Sequence, residues 1–321
     1  MTALHPAPTP SPTETSAMLA PAALRRRGGG GRDALRALPW IGPALLLIVG
    51  VVFFPAGVMF YNSTRQISQS GVDQGSAGLD NFAEVFAFPY FWPILLRTLV
   101  WVVVVVGLTV LISLALAQLL DKAFPGRRIV RMIVIIPWAA SVVMTTMVVY
   151  YGLEPYFGII NRFLVDIGLI GTPEGFGWTR NPDTAFAWSI AVAVFVSLPF
   201  TTYTLLAGLQ TVPEDILEAA RLDGAGRWRT YTSVVLPQLR PALSVAVLIN
   251  VINVFNSLPI LRVMTGSIPG YDADTVMTMI YKYLQNQHKI DVASALSVVG
   301  FVIVLVIVGV YLRVVRPMRE V

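Results

Sequence analysis

Long uncharged, apolar stretches dominate the chain. Six windows carry no Asp, Glu, Lys or Arg: 37–64, 98–120, 132–153, 184–213, 241–261 and 292–312. The run VVVVVGLTVLISLALAQLL after Trp101 and the run GFVIVLVIVGVYL from Gly300 show their character. At about 1.5 Å of rise per residue, about 20 residues of helix cross a hydrocarbon layer of about 30 Å. A charge at the centre of that layer costs about 3 kcal/mol on insertion scales, so its absence marks each window as a span. Backbone amides in hydrocarbon must bond within their own segment, so each window predicts one α-helix. The expected fold is an all-α integral membrane domain with six transmembrane helices, over residues 37–321.

The segments between the windows carry the polar content. Residues 1–36 are rich in Pro, Ala, Ser and Thr, then in Arg and a run of four glycines. Such a stretch cannot bury a core and predicts a disordered tail. It is long for a signal-peptide n-region, and no clear A-x-A site follows the first window, so that helix is expected to stay as an uncleaved anchor. Basic residues gather in the tail at Arg25, Arg26, Arg27, Arg32 and Arg36, between windows two and three at Lys122, Arg127, Arg128 and Arg131, and between four and five at Arg221, Arg227, Arg229 and Arg240. Arg313, Arg316 and Arg319 follow the last window. The positive-inside rule then places both termini in the cytoplasm.

Composition agrees with this pattern. Hydrophobic residues make up 55% of the 321 and charged ones only 13%, where a soluble protein carries about a quarter. That excludes an ordinary soluble enzyme. The net charge of +5 is a topology signal rather than a nucleic-acid footprint. The Arg25–Arg27 cluster serves orientation, with contact to anionic membrane lipid as the alternative. The absence of cysteine excludes disulfides, thiol catalysis and cysteine-ligated metals.

Two connectors predict structure of their own. Leu79-Asp80-Asn81-Phe82-Ala83-Glu84 offers an N-cap and an acidic first turn, so a short amphipathic helix is expected there. Trp92, Trp101, Trp138, Trp178 and Trp188 fall near span ends or in an outer loop, as an aromatic belt would place them. The inner connector 211–237 predicts a helix–Gly–helix. Thr211 and Glu214 have capping-box spacing, Gly224 stops the first helix, and a second runs through Trp228 and Tyr231. Ala219 and Ala220 would let a partner surface approach closely, and Glu218 offers a negative handle. A solvated connector is the plainer reading of the same residues.

Glu218-Ala219-Ala220, then Gly224 four residues on, then Val234-Val235-Leu236-Pro237, resembles the EAA loop of bacterial ABC importer permeases, whose pattern is E-A-A-x3-G-x9-I-x-L-P. Val234 replaces the usual Ile. The fuller string from Pro213 to Ala225 is similar to the version in sugar importers of the maltose/glycerol-phosphate type. Gly78-Leu79-Asp80-Asn81-Phe82, Ile136-Pro137-Trp138-Ala139, Thr265-Gly266 with Pro269-Gly270, and Ala293-Ser294-Ala295-Leu296-Ser297 resemble further family segments in the right order. The likeness covers roughly residues 40–315 and favours the first of the two sugar permeases, the maltose system's larger subunit.

This resemblance implies partners: a second homologous permease, a cytoplasmic ATPase dimer and an extracytoplasmic solute-binding protein. Glu218 would face a basic residue of the ATPase, Ala219 and Ala220 would pack in its cleft, and Gly224 would make the turn. Asp223, Leu236 and Pro237 complete the coupling segment. The chain has no G-x4-G-K-[S/T], so no cofactor is expected on it, and ATP and Mg would sit on the partner ATPase.

Polar side chains inside the windows are the substrate candidates. On a continuous helix at about 100° per residue, Asn250, Asn253 and Ser257 fall within an arc of about 60°, with Asn256 at its edge. Ser197 and Thr201 share a face of the fourth window beside Pro199. Amides and hydroxyls suit sugar hydroxyls, and the alternative is interhelical hydrogen bonding or packing. No window holds a charge, which favours a neutral sugar and argues against an ion relay. Glycerol phosphate is disfavoured, although the second permease could supply a cation. The alternative function is a secondary transporter or channel for a neutral solute. An intramembrane serine protease is excluded, because the two histidines, His5 and His288, lie outside every window.

Overall fold

The computed structural model describes residues 30–171 and 177–315. The chain divides into two compact units, Met1–Ala56 and Gly57–Val321. Most of the expected tail therefore lies outside the described residues. Helix α1 begins at Gly30 and runs Gly30–Ile48, so it starts before the first charge-free window. A π-helical turn follows at Val49–Phe53, then α2, Phe54–Asn62. In the first unit Trp40, Leu46, Leu47 and Val51 all stand exposed.

In the second unit a short antiparallel hairpin, β1 (Arg65–Ile67) and β2 (Asp73–Ser76), pairs Arg65 with Ser76. Helix α3, Asp80–Ala87, is the amphipathic helix the sequence predicts, but Asp80 is its first residue rather than its cap. The Asn81 side chain donates to the carbonyls of Ser63 and Arg65, which ties α3 to the hairpin.

Four unbroken helical stretches among the described residues are long and apolar enough to cross a membrane: Pro39–Asn62, α4 (Phe91–Asp121), α8 (Pro182–Leu209) and α15 (Ile290–Val315). The other two windows are not single straight helices. The third is split into α5, Arg127–Ala139, and α6, Val142–Gly152, bent by 97°. After it comes the short α7, Ile159–Asp166. The fifth window holds α12, Arg240–Phe255, and the start of α13, Leu258–Thr265. Helix α14, Val276–Gln285, then leads to α15. By length and composition the described residues give up to six crossings, if α5 with α6 counts as one and Arg227–Gln238 with α12 as another.

The core forms where α4 and α8 meet α12 and α15. Val105, Val192, Ala193, Val254 and Leu296 are buried there together. The opposite side of α4 shows Leu96, Val103 and Leu111 to the surroundings. Apolar residues on both faces explain why no amphipathic period marks the spans. Trp101 departs from the aromatic-belt expectation, because it is wholly buried in this core, whereas Trp92 is exposed as a belt residue would be.

Candidate functional site

The 97° elbow shapes the site. Pro137 has no N–H for the carbonyl of Ile133, and Ala140 and Ser141 then run extended (φ −87°, ψ 146° and φ −62°, ψ 133°). Backbone opened at membrane depth is tolerated only where protein buries it or a watery cavity meets it. The elbow borders a cavity of 410 Å³. Trp138 and Val142 line it from the two arms; Ala193, Val196, Ser197 and Phe200 come from α8. Ile249, Asn250, Asn253 and Val254 come from α12, with Ser257 and Ile260 beyond its end. Ser197 stands about 22 Å along the roughly 42 Å of α8, close to mid-length. None of the lining side chains is charged.

The structure brings together Ser197, Asn250, Asn253 and Ser257 of the sequence-derived set. Thr201 is wholly buried behind the cavity, where its hydroxyl accepts from Asn250 Nδ2 at 2.8 Å. Asn256 is exposed outside the lining, and its Nδ2 donates to the Ile252 carbonyl at 2.8 Å. The expected arc assumed one helix through Ser257, but α12 stops at Phe255. Ser257 (φ −77°, ψ 69°) reaches the cavity because the chain breaks ahead of Pro259, not through helical phase. Sequence reasoning missed Trp138 and Phe200. Trp138 is 66% exposed and faces the cavity rather than belonging to a belt. A tryptophan directly after a proline inside an apolar window was the available signal.

The connector after α8 forms a second site. Helix α9, Glu214–Leu222, starts from Pro213 in extended conformation, with Glu214 and Asp215 in the first turn to complement the helix dipole. The expected capping box does not form. Thr211 sits in the closing turn of α8, and its hydroxyl donates to the Gly208 carbonyl at 2.8 Å instead. At the other end Gly224 adopts φ +75°, its N–H bonds Arg221 O, and the N–H of Ala225 bonds Ala220 O. This is a Schellman closure, and it needs the left-handed residue that glycine supplies. Glu218, Ala219 and Asp223 are exposed and Ala220 is buried.

The chain continues through α10, Arg227–Thr230, a π-helical turn at Tyr231–Val235, and α11, Leu236–Gln238. Pro237 lacks the N–H that would bond Ser233, which accompanies the wide turn before it. Leu236 and Pro237 are half-buried, and a 68° bend leads into α12. The base of this connector is tightly packed. A Cβ on Gly208 of α8 would stand 2.6 Å from the Cβ of Ala242 on α12.

The chain thus presents two candidate sites, a hydroxyl- and amide-bearing cavity at mid-helix and, after α8, a helix–turn–helix with exposed acids, on helices long and apolar enough to cross a membrane. A family model described as binding-protein-dependent transport system inner membrane component matches residues 109–317. The chain belongs to that family, and is a multi-pass membrane protein and a permease of the ABC importer class. A probable ABC transporter permease protein of Brucella suis biovar 1 is 37% identical over 281 residues, covering 87% of this chain and 96% of that one. The trehalose/maltose transport system permease protein MalF of Thermococcus litoralis is 30% identical over 289 residues, 90% of this chain and 96% of its own. A chain from the crystal structure of a bacterial alginate ABC transporter, in complex with a pentasaccharide-bound periplasmic protein, superposes with a TM-score of 0.75. It covers 90% of this chain and 98% of that one at 20% identity, a likeness of fold.

Proposed function

We propose that this chain forms half of the translocation pathway of an ATP-driven importer for a neutral sugar, with a second homologous permease forming the other half. The observation that carries this reading is the cavity itself. Ser197, Asn250, Asn253 and Ser257 offer uncharged donors and acceptors, and Trp138 offers an aromatic face for the apolar side of a sugar ring. Relatives are named for cargoes of both kinds, trehalose and maltose in one case and sn-glycerol-3-phosphate in another. A lining without a cation favours the neutral kind.

Segment 211–237 couples the pathway to a cytoplasmic ATPase dimer, which holds the ATP and Mg. Glu218 pairs with a basic group of the ATPase, Ala219 and Asp223 meet its surface, and Gly224 holds the turn. The close approach of Gly208 to Ala242 lets movement of the segment pass to α8 and α12 together. A ligand-dependent change of state needs contacts that differ between the states, and the exposed helix α9 supplies them. The setting is a bacterial cell membrane, with both termini cytoplasmic and a solute-binding protein on the far side.

Reconstitution with the partner subunits and binding protein tests this. ATP-dependent uptake of radiolabelled trehalose or maltose is the expected result. Uptake that proceeds without ATP would instead identify a secondary transporter or channel, and a binding protein that takes no sugar would sink the sugar assignment.

A further inference from the structure

The atoms behind the cavity decide which end of the Asn250 amide a solute meets. Asn250 Nδ2 lies 2.8 Å from Thr201 Oγ1 and 2.8 Å from the carbonyl oxygen of Ala246. A carbonyl oxygen only accepts, so the amide atom facing Ala246 has to be the nitrogen. Turned over, the amide would set two oxygens against each other at that distance. The Thr201 hydroxyl sends its own proton to the Ser197 carbonyl at 3.0 Å, which leaves a lone pair for the second N–H of Asn250. Both amide protons are thus committed to buried partners, with Asn250 itself only 3% exposed. The carbonyl Oδ1 is the end left for the cavity that Asn250 lines.

We propose that Asn250 serves the pathway as an acceptor only, locked in that sense by Thr201 and Ala246, so that the site takes a solute hydroxyl and turns away an anionic group. The inference rests on reading this cavity as the solute site, and it narrows the cargo to neutral glycosides over those bearing carboxylate, sulfonate or phosphate. A fixed carbonyl oxygen repels an anion and accepts from a hydroxyl. The lining supplies no cation to offset that repulsion. Thr201, which does not line the cavity, is a positioning residue. Its removal frees one Asn250 N–H, a donor that an anion would accept.

Two measurements test the lock. The first needs no cargo: thermal unfolding of full-length Asn250→Asp in lipid nanodiscs between pH 5 and pH 8. A protonated carboxyl at this place can donate to the Ala246 carbonyl, whereas an ionised one sets two acceptor oxygens against each other there, so the variant should lose stability as pH rises. The expected midpoint lies several degrees below wild type at pH 8, with the gap closing towards pH 5. An Asn250→Asp midpoint that tracks wild type at every pH overturns the lock.

The second measurement is uptake of methyl glucosides and disaccharides against the matching glucuronides in proteoliposomes of the whole importer. Wild type and Thr201→Ser should prefer the neutral member of each pair by tenfold or more. Thr201→Val should lose that preference through a lower KM for the glucuronide. Equal handling of both members by wild type, or an undiminished preference in Thr201→Val, overturns the proposal. Absence of uptake of every glycoside, together with the pH signature of Asn250→Asp, would sink the sugar reading while supporting the locked amide.

Discussion

The indole N–H of Trp101 on α4 donates to the carbonyl of Val254 on α12 at 2.8 Å, inside the core and one residue from the end of α12. The last carbonyls of a helix lack the N–H four residues on, and this one also accepts from the Ser257 N–H at 3.1 Å, beside the cavity that Val254 helps to line. The bond joins the central α4 to the helix that carries Asn250 and Asn253.

Trp101→Phe keeps most of the volume and removes that donor. It should destabilise the protein by about 2–4 kcal/mol, through the unmade hydrogen bond and the residual gap. Thermal unfolding in detergent checks it, with Trp92→Phe on the exposed surface as the control, expected within about 0.5 kcal/mol of wild type.

Trp138 lines the cavity and is 66% exposed, so its role should show in transport more than in folding. Trp138→Ala is expected to raise the KM for a transported sugar several-fold to about tenfold, in keeping with an aromatic contact of about 0.5–1.5 kcal/mol. Trp138→Phe should recover part of that loss. Initial-rate uptake across a sugar concentration series measures both.

The helix-closing turn of the 211–237 segment should tolerate little change. Gly224→Ala has open space around its Cβ but keeps φ +75°, a strain of about 1–2 kcal/mol for an L-residue. Expected is a chain that inserts normally but stimulates its ATPase weakly. Glu218→Lys should abolish uptake with membrane insertion intact. Coupled ATPase assays and membrane fractionation distinguish loss of coupling from loss of fold.

Gly208→Val tests the packing at the base of the same segment. The added side chain would meet Ala242 and Leu239, an overpacking expected to cost about 1–3 kcal/mol and to spread α8 from α12. Cross-linking between cysteines placed on the two helices would report the separation, and unchanged cross-linking would argue that the contact transmits nothing.

The hairpin carries the pH prediction. The Arg65 guanidinium, 2.9 Å from Asp73, and the Gly75 N–H hold the Asp73 carboxyl below its ordinary 3.8. A depressed folded pKa means that the contribution is complete above the unfolded value and is lost as pH falls through the lower folded one. The carbonyl-carbon NMR shift of Asp73 should therefore titrate below 3.8, and Arg65→Gln should return it towards that value.

The sequence alone determined the membrane class, the six apolar segments and the helix–Gly–helix of the 211–237 connector. Those features rest on composition and local backbone chemistry: charge is excluded from lipid, and Gly224 supplies a conformation that other residues adopt at a cost. It also held the amides that line the cavity, since a polar side chain in an apolar window is conspicuous. Tertiary structure decided how they are used. Pro137 announced a disturbance, but only packing against α8 and α13 turned it into an elbow that brings Trp138 to the cavity. Helical phase suggested one polar stripe through Ser257, and the break after Phe255 rearranged it, leaving Asn256 outside and bringing Ser257 in by another route. Whether an amide presents its oxygen or its nitrogen depends on atoms one helix away, here Thr201. No local pattern records that choice, because the partners that settle it come from distant parts of the chain.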